Sequence, residues 1–387
     1  MAVGSRLEVR IYDNNLSSPT LLQELTDRVS QLAFTTQLNG GFGQCQFLIG
    51  MRVQDAWGWL SHEGKKGYHF NRVTVHEGQT LVWEGRIISI TLQVSNNEQA
   101  VRVHAEGYWA ACKDQYYTAT GNTDWTASSG HQAHDIIKEM LTEECPDINS
   151  DQTNIADTTR DLVGLDLTTK SYPQTRINEL LRMSDSDNSV WNFAIWDDRK
   201  PYLTKRAVTQ VDWYVWLEDL QNLKLEQSAT ELRNAVLPFV GTTEGTTVTN
   251  ATSLALYPRR EVSLTLPTGA NANTQGDMAT TESTERGFPR QRQSFKISGS
   301  VYKVAGVSGG QLIEQPKWRM RAGDVVRIQD LVPLTASTPE LDDVRTFFIM
   351  DTQYDGNADV MRIQPDRRAL TMSRAIRRIE IQAGIER

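Results

Sequence analysis

The sequence predicts a mainly β protein, α+β overall, in which two antiparallel β modules bracket an α+β insert and carry long loops. Three observations predict it. Residues 7–110 hold a series of short apolar/polar alternations separated by turn chemistry. Residues 130–181 change to apolar spacings of three and four, the mark of helices. From Trp213 the alternation resumes and runs on to Ile363.

The first module is expected over residues 1–115. Leu7 to Ile11 alternates and meets Asp13-Asn14-Asn15, which favours a turn. Leu32 to Leu38 is the next strand, broken by Asn39-Gly40-Gly41, where Asn and Gly tolerate positive φ. Cys45 to Ile49 returns with Cys45, Phe47 and Ile49 on one face. Asn71 to Val75 ends at the turn Glu77-Gly78, and Leu81 to Ile90 follows. Gly85 inside that run predicts a bulge or sharp bend that curls the sheet. Ala100 to Ala105 closes the series at Gly107-Tyr108-Trp109-Ala110, giving a small antiparallel barrel or sandwich.

Residues 116–210 form the insert. Gly130 to Glu144 carries Ile136, Ile137, Met140 and Leu141 at helical spacing and is stopped by Pro146. Ser171-Tyr172-Pro173 opens a second helix with Ile177, Leu180 and Leu181 on one face. Val190 to Trp196 and Pro201 to Ala207 flank Asp197-Asp198-Arg199-Lys200 as a hairpin. Residues 211–366 make the second module, with strands at 213–217, 223–228, 234–240, 295–304, 324–328, 347–353 and 360–363. Thr- and Gly-rich residues 241–253 and 268–288 are expected to be long loops or subunit arms. Residues 367–387 are expected to be a basic C-terminal helix or tail. No short repeat shows, yet two β modules around an insert suggest a duplication.

The balance of the 387 residues excludes several classes. A hydrophobic share of 39% against 23% charged is globular rather than disordered. Mean hydropathy is −0.46, and no apolar run approaches the roughly 20 residues of a membrane helix. The first residues alternate and lack the apolar core of a signal peptide, so synthesis in the cytoplasm is expected. Net charge is −8 with pI about 5.4, which argues against a nucleic-acid-binding surface. Cys45, Cys112 and Cys145 are widely spaced and odd in number, and are expected as buried apolar residues.

Candidate chemistry is sparse. His131 and His134 stand three apart, a spacing that chelates metal on a helix, but no HExxH glutamate or third ligand accompanies them. No G-x-S-x-G elbow supports a nucleophilic serine. Asp185-Ser186-Asp187-Asn188 opens like a calcium loop without its glycine or closing Glu. Gly306 to Gly310 lacks the Lys-Ser/Thr of a phosphate loop and reads as a hairpin tip. Trp191, Trp196, Trp213 and Trp216 invite a sugar platform, but alternation puts Trp191 and Trp196 on opposite faces. No catalytic, metal or cofactor site is expected.

Several segments resemble tail proteins of long-tailed bacteriophages. Phe34 to Phe42 with Cys45 to Ile49 resembles their opening. Asn71 to Gly78 followed by Val82-Trp83-Glu84-Gly85-Arg86-Ile87 continues it, and Gly107-Tyr108 sits where they close the first barrel. Trp318 to Ile328 is similar to the "R-x-G-D-x-V-R-I" strand of their second barrel, and Asp351 to Asp355 to its closing strand. Each motif is strand and turn chemistry; order and spacing carry the likeness to the tail-tip or baseplate hub family.

The resemblance implies two tube-type barrels per chain and a homotrimeric ring at the distal tail tip of the virion. It implies partners in the tail tube or distal tail ring protein, the tape measure protein, and a central spike or receptor-binding fibres. DNA would pass only in transit through the lumen, which suits a negative chain. The chain ends at Arg387, just past the second barrel, and no fused lysin is expected. Arg86 and the pair Arg321/Asp324 are expected near subunit seams. The competing expectations are a distal tail ring or other minor tail protein, a carbohydrate-binding adhesin, and a wall-degrading enzyme.

Overall fold

A computed structural model of the chain describes residues 7–60, 67–94, 99–117, 131–162, 170–182, 185, 190–205, 211–266, 272–304, 311–331 and 346–365. The first module holds β1 (Leu7–Tyr12), β2 (Leu21–Glu24), β3 (Val29–Gln37), β4 (Gly40–Gly50), the single turn α1 (Val53–Ala56), β5 (Arg72–Glu77), β6 (Thr80–Val94) and β7 (Gln99–Glu106). The insert follows with β8 (His131–Gln132), α2 (Ala133–Glu144), β9 (Asp161–Leu162), α3 (Pro173–Arg182), β10 (Trp191–Trp196) and β11 (Lys200–Lys205). Then come β12 (Trp213–Trp216), β13 (Leu220–Ser228), β14 (Ala235–Val240), β15 (Thr243–Glu244), β16 (Val248–Thr249), α4 (Ala251–Leu256), β17 (Glu261–Leu266) and α5 (Ala272–Arg286). Finally β18 (Arg290–Ile297), β19 (Val301–Val304), β20 (Leu312–Gln315), β21 (Val325–Gln329), β22 (Thr346–Asp355) and β23 (Val360–Pro365) complete the second module.

The fold is mainly β, as the alternation predicts, but the two modules are not closed barrels. Among the described residues β1–β7, β10 and β11 of the insert, and β12, β13 and β18–β23 form one 17-stranded sheet, while β14–β17 form a separate four-stranded one. One path through the larger sheet runs β2-β1-β5-β6-β7-β4-β3-β22-β23-β18-β13, and β21, β12, β19 and β20 branch from β22. The outer edge of β3, where closure of the first barrel is expected, is taken by β22 of the second module. At that joint Thr36 Oγ1 and Thr352 Oγ1 lie 2.7 Å apart, and the rings of Phe34 and Tyr354 are 5.2 Å apart. One apolar cluster therefore serves both modules, from Val9, Phe34, Trp83 and Val103 to Trp213, Phe295, Val326 and Ile363.

The turn at Leu38-Asn39 is where the sequence places it, with Gly40 at φ +126 and Gly41 at φ +86. The glycines have a second use, because β10 of the insert pairs in parallel with β4 there, Ile195 against Gly41. A Cβ on Gly41 would clash with the Ile195 carbonyl. Gly85 is no bulge: it stays in register with Val73, and the irregularity falls between Ile87 and Ser89. The missing side chain at Gly85 instead leaves room for the Glu106 carbonyl and the Trp83 ring.

Past the Gly107 close of the first module, residues 108–113 are a 3-10 helix, because Tyr108, Trp109 and Cys112 turn into a second apolar cluster. That cluster is the insert's core and gathers Ile136, Ile137, Met140, Leu141, Ile177 and Leu180 from α2 and α3. Residues 241–253 and the described part of 268–288 are not long loops: they hold β15, β16, the start of α4 and α5. Helix α5 packs against β14 and buries Met278 and Ala279. Its polar residues bond back along the helix, Thr280 Oγ1 to the Gly276 carbonyl at 2.7 Å and Ser283 Oγ to the Thr280 carbonyl at 3.0 Å. The C-terminal residues 366–387 lie outside the described residues.

The two modules repeat each other in backbone detail. A 3-10 turn precedes β3 at Thr26–Arg28 and precedes β13 at Leu217–Asp219. Val29 pairs with Ile49 and Phe34 with Cys45, as Leu220 pairs with Ile297 and Leu225 with Gln293. Both strand pairs slip register at the same place, between Ser30 and Ala33 and between Gln221 and Lys224. Each slip contains one left-handed residue, Gln31 at φ 52 and Asn222 at φ 55. Likewise β6–β7 slips between Ile87 and Ser89, and β22–β23 between Ile349 and Asp351. The order β5-β6-β7-β4-β3 is thus matched by β21-β22-β23-β18-β13.

Candidate functional site

The densest polar constellation sits where the insert meets both β modules, and it is built by the three-residue turn between β10 and β11. Asp198 and Arg199 adopt φ 60, which lets successive side chains diverge. Asp197 takes the Arg321 guanidinium on both oxygens, at 3.1 and 2.9 Å. Asp198 reaches Arg72 at 3.2 Å, and its N–H donates to Glu84 Oε2 at 2.9 Å. Arg199 lies 3.7 Å from Glu84 Oε1, with its guanidinium 4.4 Å above the Tyr108 ring. Arg72 Nε completes the group 3.0 Å from Glu84 Oε1. Glu84 and Arg199 are buried, and charges there persist only in company. Burial still pushes the Glu84 carboxyl up to about 6, with Arg72 and Arg199 pulling the other way.

The three residues singled out from sequence border this constellation. Arg86 on β6 donates from Nη2 to Asp114 Oδ1 at 3.0 Å and from Nη1 to Asp147 Oδ2 at 3.3 Å, with its guanidinium 5.4 Å from the Phe70 ring. Arg321 adds a bond to the Leu81 carbonyl at 2.8 Å and lies over Phe42 and Trp196 at 5.1 and 5.5 Å. Asp324 is not its ion-pair partner. The Asp324 carboxylate accepts the Arg321 backbone N–H and the Trp213 Nε1–H, each at 2.8 Å, and burial raises it to about 6. All three thus bind segments of their own chain together. Sequence reasoning missed Glu84, Arg72 and Arg199. Asp197 to Lys200 signalled a turn, but nothing in a hairpin signature says what its side chains touch.

The remaining candidates find structural employment. His131 lies in β8, ahead of the helix, and His134 accepts the Thr158 N–H on Nδ1 at 3.0 Å. Among the described residues no group of three or more His, Cys, Asp or Glu is placed to hold a metal. Asp185 accepts the Thr159 N–H and hydroxyl at 2.7 Å and the Arg160 N–H at 2.9 Å, anchoring that loop. The other residues of that acidic run and the Gly306–Gly310 run lie outside the described residues. The four tryptophans do not share a surface: Trp191 is in the insert core, Trp196 packs on the shared cluster, and Trp213 is buried. Cys45, Cys112 and Cys145 are free and buried, as expected. No described helix is long and apolar enough to cross a membrane.

No protein-family model matches the sequence, and no curated protein is similar to it in sequence. Solved structures are similar in fold. A tail protein from Neisseria meningitidis MC58 superposes with a TM-score of 0.59 at 10% identity, over 93% of this chain and 95% of that one. The 43 kDa tail protein of prophage MuSo2 from Shewanella oneidensis does so with a TM-score of 0.57 at 11% identity, over 94% and 98%. The chain has the fold of phage tail proteins. Prophage tail protein gp18 from Listeria monocytogenes EGD-e matches as well, with a TM-score of 0.51 at 10% identity over 98% and 100%. This tail-protein fold bears out the resemblance carried by the Phe34–Phe42, Val82–Ile87 and Trp318–Ile328 segments. The identities are too low to carry residue roles across, so the turn Asp197–Arg199 stands on its own geometry.

Proposed function

We propose that the chain is a non-catalytic structural protein of a phage tail. In this reading three copies form the hub ring at the distal tip, joined to the tail tube or distal ring protein on one side. The tape measure protein and a central spike or receptor-binding fibres are its other partners, and DNA passes through the lumen. The observation that supports this most is the repeated sheet itself. Two equivalent modules joined edge to edge give one chain two of the equal sectors that a ring needs, in the fold of phage tail proteins. The turn Asp197–Arg199, with Arg199 buried beside Glu84, then serves to fix the insert against both sectors, so that the ring transmits load rather than hinging. A net charge of −8 suits a conduit that DNA must not adhere to.

The test is to stop this reading frame early in the parent virus and image the lysate by electron microscopy. Filled heads without tails are expected, because a hub starts the tail. Complete tails on non-infectious particles would overturn the hub assignment and move the chain to adsorption.

A further inference from the structure

The internal repeat makes a strand-level statement about what each sheet edge meets. In the first module the outer edge of β3 is paired with β22. Its counterpart in the second module, β13, pairs with β18 on one side and with no strand on the other among the described residues. The counterpart of β22 is β6. Its first half pairs with β5 only from Thr80 to Arg86, and its second half pairs with β7 on one side. From Ser89 to Val94 the other edge of β6 has no strand beside it among the described residues. One joint of the repeat is therefore made inside the chain, and the two halves of an equivalent second joint are left at opposite ends of the sheet.

We infer that β13 of one copy pairs with Ser89–Gln93 of β6 in a second copy, repeating between subunits the β3–β22 joint found within the chain. This inference rests on the ring reading above and names its contact. The register follows from the template, in which Asp351 faces Gln37, Gln353 faces Thr35 and Asp355 faces Ala33, antiparallel. Transposed through the matched strand pairs, Ser89 faces Ser228, Thr91 faces Glu226 and Gln93 faces Lys224. Leu92 and Leu225 take the positions that Tyr354 and Phe34 hold in the internal joint.

The exposed surface agrees with that register. Val94 is 66% exposed, and Ser89 and Thr91 are exposed beside it, on a strand whose inner residues are buried. Ile90 and Leu92 are only partly buried against the shared core, and a neighbouring strand would cover them. An unpaired edge of this kind invites another chain unless it is blocked. No proline interrupts Ser89–Val94 or β13. Because the two edges differ, the contact is head-to-tail, the geometry that closes into rings.

The experiment uses the full chain carrying Ser89→Cys and Ser228→Cys, oxidised with an aromatic disulfide that accepts the two electrons and two protons of each new S–S bond. Facing strand positions fall in the Cα separation a disulfide spans, about 4.4–6.8 Å. The native cysteines are buried. The native mass of the unsubstituted chain is measured in parallel. Covalent dimers and a closed covalent trimer from the double variant, none of the closed trimer from either single variant, and the same outcome for Gln93→Cys with Lys224→Cys are expected. A three-copy native mass with no cross-link in either double variant overturns this joint and leaves the ring standing. A chain that is monomeric at every concentration tested overturns both.

Discussion

Replacing Thr36 by valine changes little volume but disarms the joint between the two modules. Thr36 and Thr352 are 1% and 2% exposed, and their hydroxyls share a 2.7 Å hydrogen bond across β3 and β22. Thr36 Oγ1 also accepts the Ala322 N–H at 2.9 Å. Thr36→Val orphans two buried polar groups, the Thr352 hydroxyl and the Ala322 amide, at about 1–3 kcal/mol each. A loss of about 2–6 kcal/mol is therefore expected. Thr352→Val leaves the Ala322 bond intact and costs about 1 kcal/mol. The double variant orphans only the Ala322 amide, so it should be no less stable than Thr36→Val alone, a coupling of about 1 kcal/mol between neighbours. Urea unfolding followed by tryptophan fluorescence, with both modules' transitions recorded, reads these differences. A Thr36→Val variant within about 0.5 kcal/mol of the parent, the range of ordinary surface changes, would refute a dry, hydrogen-bonded joint.

Further outcomes follow from the same physics. Glu84 titrates at about 6 in the folded chain against an ordinary 4.5, so the folded state binds its proton more tightly than the unfolded state. Stability from this group therefore rises as pH falls from about 6 to 4.5, by about 2 kcal/mol in all, and Glu84→Gln should flatten that part of the pH–stability curve. An unchanged slope in the variant would contradict the burial of Glu84. Gly41→Ala meets the Ile195 carbonyl as well as φ +86 and should abolish soluble expression, whereas Gly78→Ala, at φ +57 with open space, should cost only about 1–2 kcal/mol. Equal tolerance of the two would remove the β4–β10 contact. Arg321→Lys keeps the charge but loses the two-oxygen grip on Asp197, and a Tm lower than the parent's is expected. A Tm equal to the parent's would show that Arg321 contributes only its charge.

The strands were legible because period-two alternation is a local property, and β1, β4, β7 and β23 sit where their sequences put them. The helices α2 and α3 were legible for the same reason, each with an apolar face and a proline at one end. What local pattern does not carry is which edge meets which. Closed barrels were expected, yet the edge of β3 is satisfied by a strand more than 300 residues later in the chain. Helix α5 hid behind Thr, Ser and Gly, although the Thr280 and Ser283 hydroxyls bond back to its own backbone. The duplication suggested by two β modules around an insert is real, but its residue correspondence was hidden: Gln31 corresponds to Asn222 and Phe34 to Leu225, so what recurs is a bulge and a backbone angle rather than residue types. In the sequence the junction at Asp197–Arg199 is a bare turn, since its partners Glu84, Arg72 and Arg321 come from distant segments.

The central claim is that three copies of this chain close a ring at the distal end of the tail. Electron cryo-microscopy of intact tails from the parent virus addresses it most directly. The account predicts, at the distal end of the tube, a ring of three chains whose six modules lie in near-equivalent positions. Six copies in that ring, or the chain found in the fibres and not at the tube end, would contradict it.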